Sequence, residues 1–155
     1  MLTESDSKRI ENFKQWYIEN KKNYEKVSKY VEEKIGEYLR RQNFNIASSC
    51  ARAKTVSSVY EKAKKVKKSG EQYVLKYSNP KTEIMDFAGV RFVVYLASEM
   101  KIVADAVENL FEGSILYTES ENKLDLLGDN KVGYLSIHYV VTVNSSEKQY
   151  SHLNG

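Results

Sequence analysis

A chain of 155 residues, 41% hydrophobic and 29% charged with a single proline, is one domain's worth of sequence, so a folded protein without a second large domain is expected, rather than a disordered or collagen-like one. Its longest wholly apolar run, residues 92–97, is far short of the ~20 residues of a membrane-spanning helix, and no apolar signal core follows Met1, so a cytoplasmic protein with no membrane partner is expected. The net charge of +3 conceals a polarised chain: residues 1–80 carry 18 basic and 10 acidic side chains, residues 81–155 carry 6 and 11.

From Thr3 to Asn43 the sequence reads as helix, with a break near Asn20 to Asn23. Beyond it Tyr24, Val27, Val31, Ile35 and Tyr38 recur at steps of three and four and form an apolar stripe that must pack on something, a scaffold pattern. Asn43 to Ala53 mixes β-prone and small residues and reads as a short strand. Within it Cys50, the one cysteine, has no partner for a disulfide and no metal-ligand spacing around it, and reads as a buried thiol. Ser57 or Ser58 caps a helix running to about Ser69 and ended by Gly70, and a polar stretch follows to Thr82. Val90 to Leu96 is a strand, Ser98 caps a helix carrying Ile102, Val103, Ala106, Val107, Leu110 and Phe111, Ser114 to Thr118 is a second strand, and Tyr134 to Val143 is the last. Helices and strands alternating after residue 45 imply an α+β or α/β sheet domain (44–155) behind a helical extension (1–43).

Three constellations carry chemistry. Arg40 to Lys68 holds nine basic side chains and one acid, Glu61; within it stands Arg52-Ala-Lys54-Thr55-Val-Ser-Ser58-Val-Tyr-Glu-Lys62. In an extended segment Arg52 and Lys54 share a face, and Ser58 and Lys62 stand one turn apart on the following helix, whose N-terminus adds free N–H groups. Such a convergence of donors suits a polyphosphate, although no GxxxxGK[ST] loop exists in the chain; the plainer reading is a solvated basic helix end with a serine cap. Asp86-Phe-Ala-Gly89-Val-Arg91 places a carboxylate at the mouth of an apolar strand, fit for Mg²⁺ on a nucleotide or, alternatively, for a structural pair with Arg91. In Gly133-Tyr134-Leu-Ser136-Ile-His138, alternation puts Tyr134, Ser136 and His138 on one face, where a ring can stack on a base and the polar groups can hydrogen-bond a sugar or phosphate, or simply face solvent.

In order and spacing, RxKTxxSxxxK, DxxGxR and GYxSxH resemble the synthetase domain of the RelA/SpoT alarmone family, over about Ile46 to the C-terminus. The resemblance implies a nucleotidyltransferase-like mixed sheet flanked by helices, of α+β class, that transfers pyrophosphate from ATP to the 3′-hydroxyl of GDP or GTP with Mg²⁺. Arg52, Lys54, Ser58, Lys62 and Arg91 would then hold ATP, Asp86 would be the catalytic metal ligand, and Tyr134, Ser136, His138 and Lys131 would serve the acceptor. The family continues to an ExQxRT strand; here Glu147-Lys-Gln149 matches its first half by chance in a polar loop, so an inactive chain lacking the C-terminal part of the domain is expected. Leu135 stands where an Arg is common and Lys131 lies closer to Gly133 than usual, which leaves other acceptors open, an adenosine nucleotide or the tRNA 3′ end among them. The competing readings are a non-catalytic module that binds nucleotide or RNA through the same basic face, independent of Mg²⁺, and a structural protein. An open sheet edge left by the missing strand is expected to favour association of copies into an oligomer.

Overall fold

A computed structural model describes residues 2–117, 120–122 and 137–143. Their elements are α1 (Glu4–Arg41), β1 (Ser48–Ala53), α2 (Val56–Ala63), β2 (Val66–Ser69), β3 (Gln72–Leu75), α3 (Pro80–Glu83), β4 (Ala88–Val93), a 3-10 turn (Ala97–Glu99) leading into α4 (Met100–Leu110), β5 (Glu121–Asn122) and β6 (Ile137–His138). The class is α+β, and the described strands pair in twos: β1 with β4, β2 with β3, β5 with β6. By its contacts the chain divides into two compact units, Met1–Ser28 with Arg52–Gly89 and Lys29–Ala51 with Val90–Gly155.

In the first unit α1 starts on reciprocal capping: the Asp6 N–H donates to Thr3 Oγ1 at 3.0 Å and the Thr3 N–H to Asp6 Oδ2 at 3.2 Å. Hydrogen bonds from Thr3 and Arg9 hold the Asp6 carboxyl below its ordinary range. The helix runs through Asn20 to Asn23 without the expected break. Neither Gly nor Pro stands there, the Asn20 amide donates to the Trp16 carbonyl at 2.8 Å, and an asparagine costs a helix only about 0.7 kcal/mol, which flanking packing overrides. Ile10, Phe13 and Tyr17 of α1 form a buried core with Val59 and Ala63 of α2, Leu75 of β3, Ile84 and Phe87. Phe87 is its hub, with ring centroids of Tyr24 at 5.0 Å, Tyr17 at 5.3 Å, Trp16 at 5.9 Å and Phe13 at 6.1 Å.

Two further expectations for this unit are corrected. The cap of α2 is Thr55, whose hydroxyl accepts from the Ser58 N–H at 3.2 Å. And α2 ends at Ala63 rather than Ser69: Val66–Ser69 is a strand, paired in register with Gln72–Leu75. Gly70, at φ 61°, takes the first position of the two-residue turn between them, where favoured hairpin turns require a positive φ. The glycine that reads locally as a helix stop is therefore a hairpin tip.

In the second unit Ile35 and Leu39 of α1 pack with Ala106 of α4, Phe111 and Ile115, and Phe92, Tyr139 and Val141 lie against them. The strand expected at Val90 to Leu96 is Ala88–Val93, with alternate residues exposed, and Tyr95 and Leu96 are open to solvent. Ser98 does not cap the next helix; the Leu96 N–H donates to Glu99 Oε2 at 2.8 Å across the 3-10 turn. The expected strand at Ser114 to Thr118 is a single bridge, Ile115 with Val141, and Thr118 lies outside the described residues. Of Tyr134 to Val143, Ile137–His138 and the bridge at Val141 are found, and residues 134–136 lie outside the described ones. Cys50 is exposed, not buried: the first three residues of β1 all face solvent.

Candidate functional site

The first unit brings three of the expected residues to one point. Lys54 follows the last residue of β1, where its N–H donates to the Phe87 carbonyl at 2.7 Å and so sets it beside Asp86. Its ammonium forms an ion pair with Asp86 Oδ2, and the ammonium of Lys62, on the second turn of α2, reaches Asp86 Oδ1 at 2.8 Å. The three side chains keep 30%, 24% and 49% of their surface for Lys54, Lys62 and Asp86, so the cluster is open enough to be reached by a ligand. Partial burial raises the Asp86 carboxyl, but the hydrogen bonds and charges of Lys54 and Lys62 outweigh it and leave the group below its ordinary value.

Ser58 and Arg52 belong to the same unit but not to this knot. The Ser58 hydroxyl accepts from Thr55 Oγ1 at 2.8 Å at the start of α2. Arg52 is exposed, next to buried Ala53 in β1, and among the described residues its side chain has no hydrogen bond or ion pair. Arg91 and His138 fall in the second unit, both exposed. The pairing of Asp86 with Arg91 weighed from the sequence is not found: the partners of Asp86 are the two lysines. Lys131, Tyr134, Leu135, Ser136, Glu147 and Gln149 lie outside the described residues.

The cluster carries one carboxylate and two ammoniums, and the described residues contain no group of three or more His, Cys, Asp or Glu side chains. A bare divalent cation would meet net positive charge and a carboxylate whose two oxygens are both engaged. A polyphosphate fits better, because it offers the ammoniums stronger partners and in doing so frees Asp86 as the single carboxylate that a phosphate-borne Mg²⁺ ordinarily takes. The donor set therefore fits the metal only together with its phosphate.

One residue at this point escaped the sequence reading. Tyr17 of α1 is fully buried and its hydroxyl donates to the Lys54 carbonyl at 2.5 Å. In sequence it is one more apolar-face tyrosine among 12, and no local pattern marks it.

A family model described as a region found in RelA/SpoT proteins matches residues 51–152, about two thirds of the chain, and the matched segment contains Arg52, Lys54, Ser58, Lys62, Asp86 and Arg91. No curated protein and no solved structure matches the chain.

Proposed function

The chain belongs to the RelA/SpoT family, and from that premise we propose that its function is pyrophosphate transfer from ATP to the 3′-hydroxyl of GDP or GTP. The observation that carries this reading is the convergence of Lys54 and Lys62, from two different elements, on Asp86. In the reaction the acceptor 3′-oxygen bonds to the β-phosphorus of ATP, the bond from that phosphorus to the α–β bridging oxygen breaks, AMP leaves, and the hydroxyl proton passes to solvent. Little covalent work falls to the protein in such a transfer; its task is to place the phosphates and neutralise their charge. Lys54 and Lys62 turn from Asp86 to the phosphate oxygens, Arg52 adds a third cation from the same unit, and Ser58 stands at the positive end of α2. Asp86 is the residue that would hold Mg²⁺, which would supply further charge neutralisation there. Tyr134, Ser136, His138 and Lys131 receive the acceptor.

Calorimetric titration with ATP, with and without Mg²⁺, is the test, followed by chromatography of mixtures containing ATP, Mg²⁺ and one acceptor at a time: GDP, GTP, an adenosine nucleotide or tRNA. The expected result is Mg²⁺-strengthened ATP binding that depends on Lys54 and Lys62, with AMP and a pyrophosphorylated guanosine nucleotide as products. ATP binding untouched by Lys54→Ala and Lys62→Ala overturns the site. Modification of a different acceptor moves the reaction to that substrate, and binding indifferent to Mg²⁺ with no AMP leaves a non-catalytic nucleotide-binding module.

A further inference from the structure

We infer that Tyr17 of α1 is a positioning residue for the phosphate-binding Lys54, its hydroxyl fixing the Lys54 peptide and its ring fixing the residue next to Asp86; this rests on the reading of the lysine–aspartate cluster given above. Four observations converge. Tyr17 has no exposed surface. Its O–H donates to the Lys54 carbonyl at 2.5 Å. Its ring stacks on Phe87, centroids 5.3 Å apart and planes 28° from parallel. And Phe87 in turn accepts the Lys54 N–H at 2.7 Å. Both polar atoms of the Lys54 backbone are thereby tied, one to the tyrosine and one to the neighbour of Asp86.

The physical need for such a tie lies in the lysine itself. An ammonium on a flexible four-carbon stem has little orientation of its own, so the direction of its Cα–Cβ bond decides where it can reach. Lys54 stands just past the last residue of β1, in the short link to α2, where its N–H is bonded to Phe87 but its carbonyl lies beyond the strand. That part-buried carbonyl needs a donor, and Tyr17 is that donor. The segment that supplies it, residues 4–28, precedes the family-matched 51–152, so α1 contributes an atom to the site as well as surface to the core.

The experiment compares Tyr17→Phe with Tyr24→Phe in the full chain. Tyr24 packs on the same Phe87 ring at 5.0 Å, so its variant controls for lost phenol in the aromatic cluster. Three quantities are read: the melting temperature, ATP affinity by calorimetry, and the exchange rate of the Lys54 amide proton by NMR. Tyr17→Phe is expected to weaken ATP binding about fivefold, as loss of one hydrogen bond to the Lys54 backbone predicts. It should also speed exchange of the Lys54 amide, which bonds the Phe87 carbonyl, while Tyr24→Phe moves neither. A Tyr17→Phe protein that melts lower yet binds ATP and protects the Lys54 amide like the wild type reduces Tyr17 to a core residue and overturns the proposal. If Lys54→Ala and Lys62→Ala also leave ATP binding unchanged, it is the phosphate-site reading that fails, and protection of the Lys54 amide then decides whether Tyr17 positions that backbone. Should Tyr17→Phe not fold, the wild-type hydroxyl proton decides: slow exchange and an NMR coupling to the Lys54 carbonyl are expected, and exchange at the solvent rate overturns the inference.

Discussion

The two units of the chain differ in the sequence span over which charges meet. In the second, Lys101 pairs with Asp105 and Arg41 with Glu37, each one helical turn apart on an exposed face. The first has local pairs too, such as Arg9 with Asp6 and Lys64 with Glu61, but it also has the two pairs of Asp86, which join residues 32 and 24 positions apart. A pair one turn apart forms whenever the helix forms and is worth little. A carboxylate held by two lysines from separate elements requires the fold to bring them together, over a core that includes Phe87, Tyr17 and Trp16. The contrast teaches that sequence separation, more than the number of charges, distinguishes a cluster assembled by the fold from a solvated helix face in this protein.

The sharpest way to break that comparison is to remove the support of the long-range pairs. Phe87→Ala deletes the hub of four ring contacts and is expected to cost about 3–5 kcal/mol in denaturant unfolding, with ATP binding lost along with the fold of the first unit. A loss below 1 kcal/mol would show that the cluster does not depend on the core beneath it. Next in size, Lys54→Ala and Lys62→Ala should each weaken ATP binding by about 1.5–3 kcal/mol, the range of charge-assisted hydrogen bonds, measured calorimetrically at one fixed salt concentration.

Asp86 offers a smaller, pH-dependent effect. Because its folded carboxyl lies below the ordinary value, the stability it contributes is fully present above the usual carboxylate range and is lost as pH falls through the folded value. Half-exposure of the side chain keeps the effect modest. Asp86→Asn should flatten this part of the acid side of the stability profile, read as melting temperature between about pH 6 and pH 2; an unchanged profile would sink the coupling. Smallest of all is Lys101→Ala, which removes an exposed pair one turn apart and should change neither the melting temperature nor ATP binding. A clear loss of ATP affinity there would erase the distinction between the two kinds of pair.

What the sequence by itself determined are the features that local rules govern: the two longest helices from their three-and-four periodicity, a domain of helices and strands from alternating elements, a strand ahead of Lys54, and the family from an ordered set of motifs. These are legible because periodicity and motif spacing are properties of neighbouring residues. Tertiary structure alone decided that α1 continues through Asn20 to Asn23, that Val66–Ser69 pairs in a hairpin instead of extending α2, that Cys50 faces solvent, and that Asp86 chooses two lysines over Arg91. It also decided that Tyr17, 37 positions away, caps the carbonyl of Lys54. The reason is one of scale: propensities differ by only tenths of a kcal/mol per residue, whereas burying an aromatic ring or leaving a buried polar group unpaired is worth one to several kcal/mol, so wherever the two disagree the distant contact prevails.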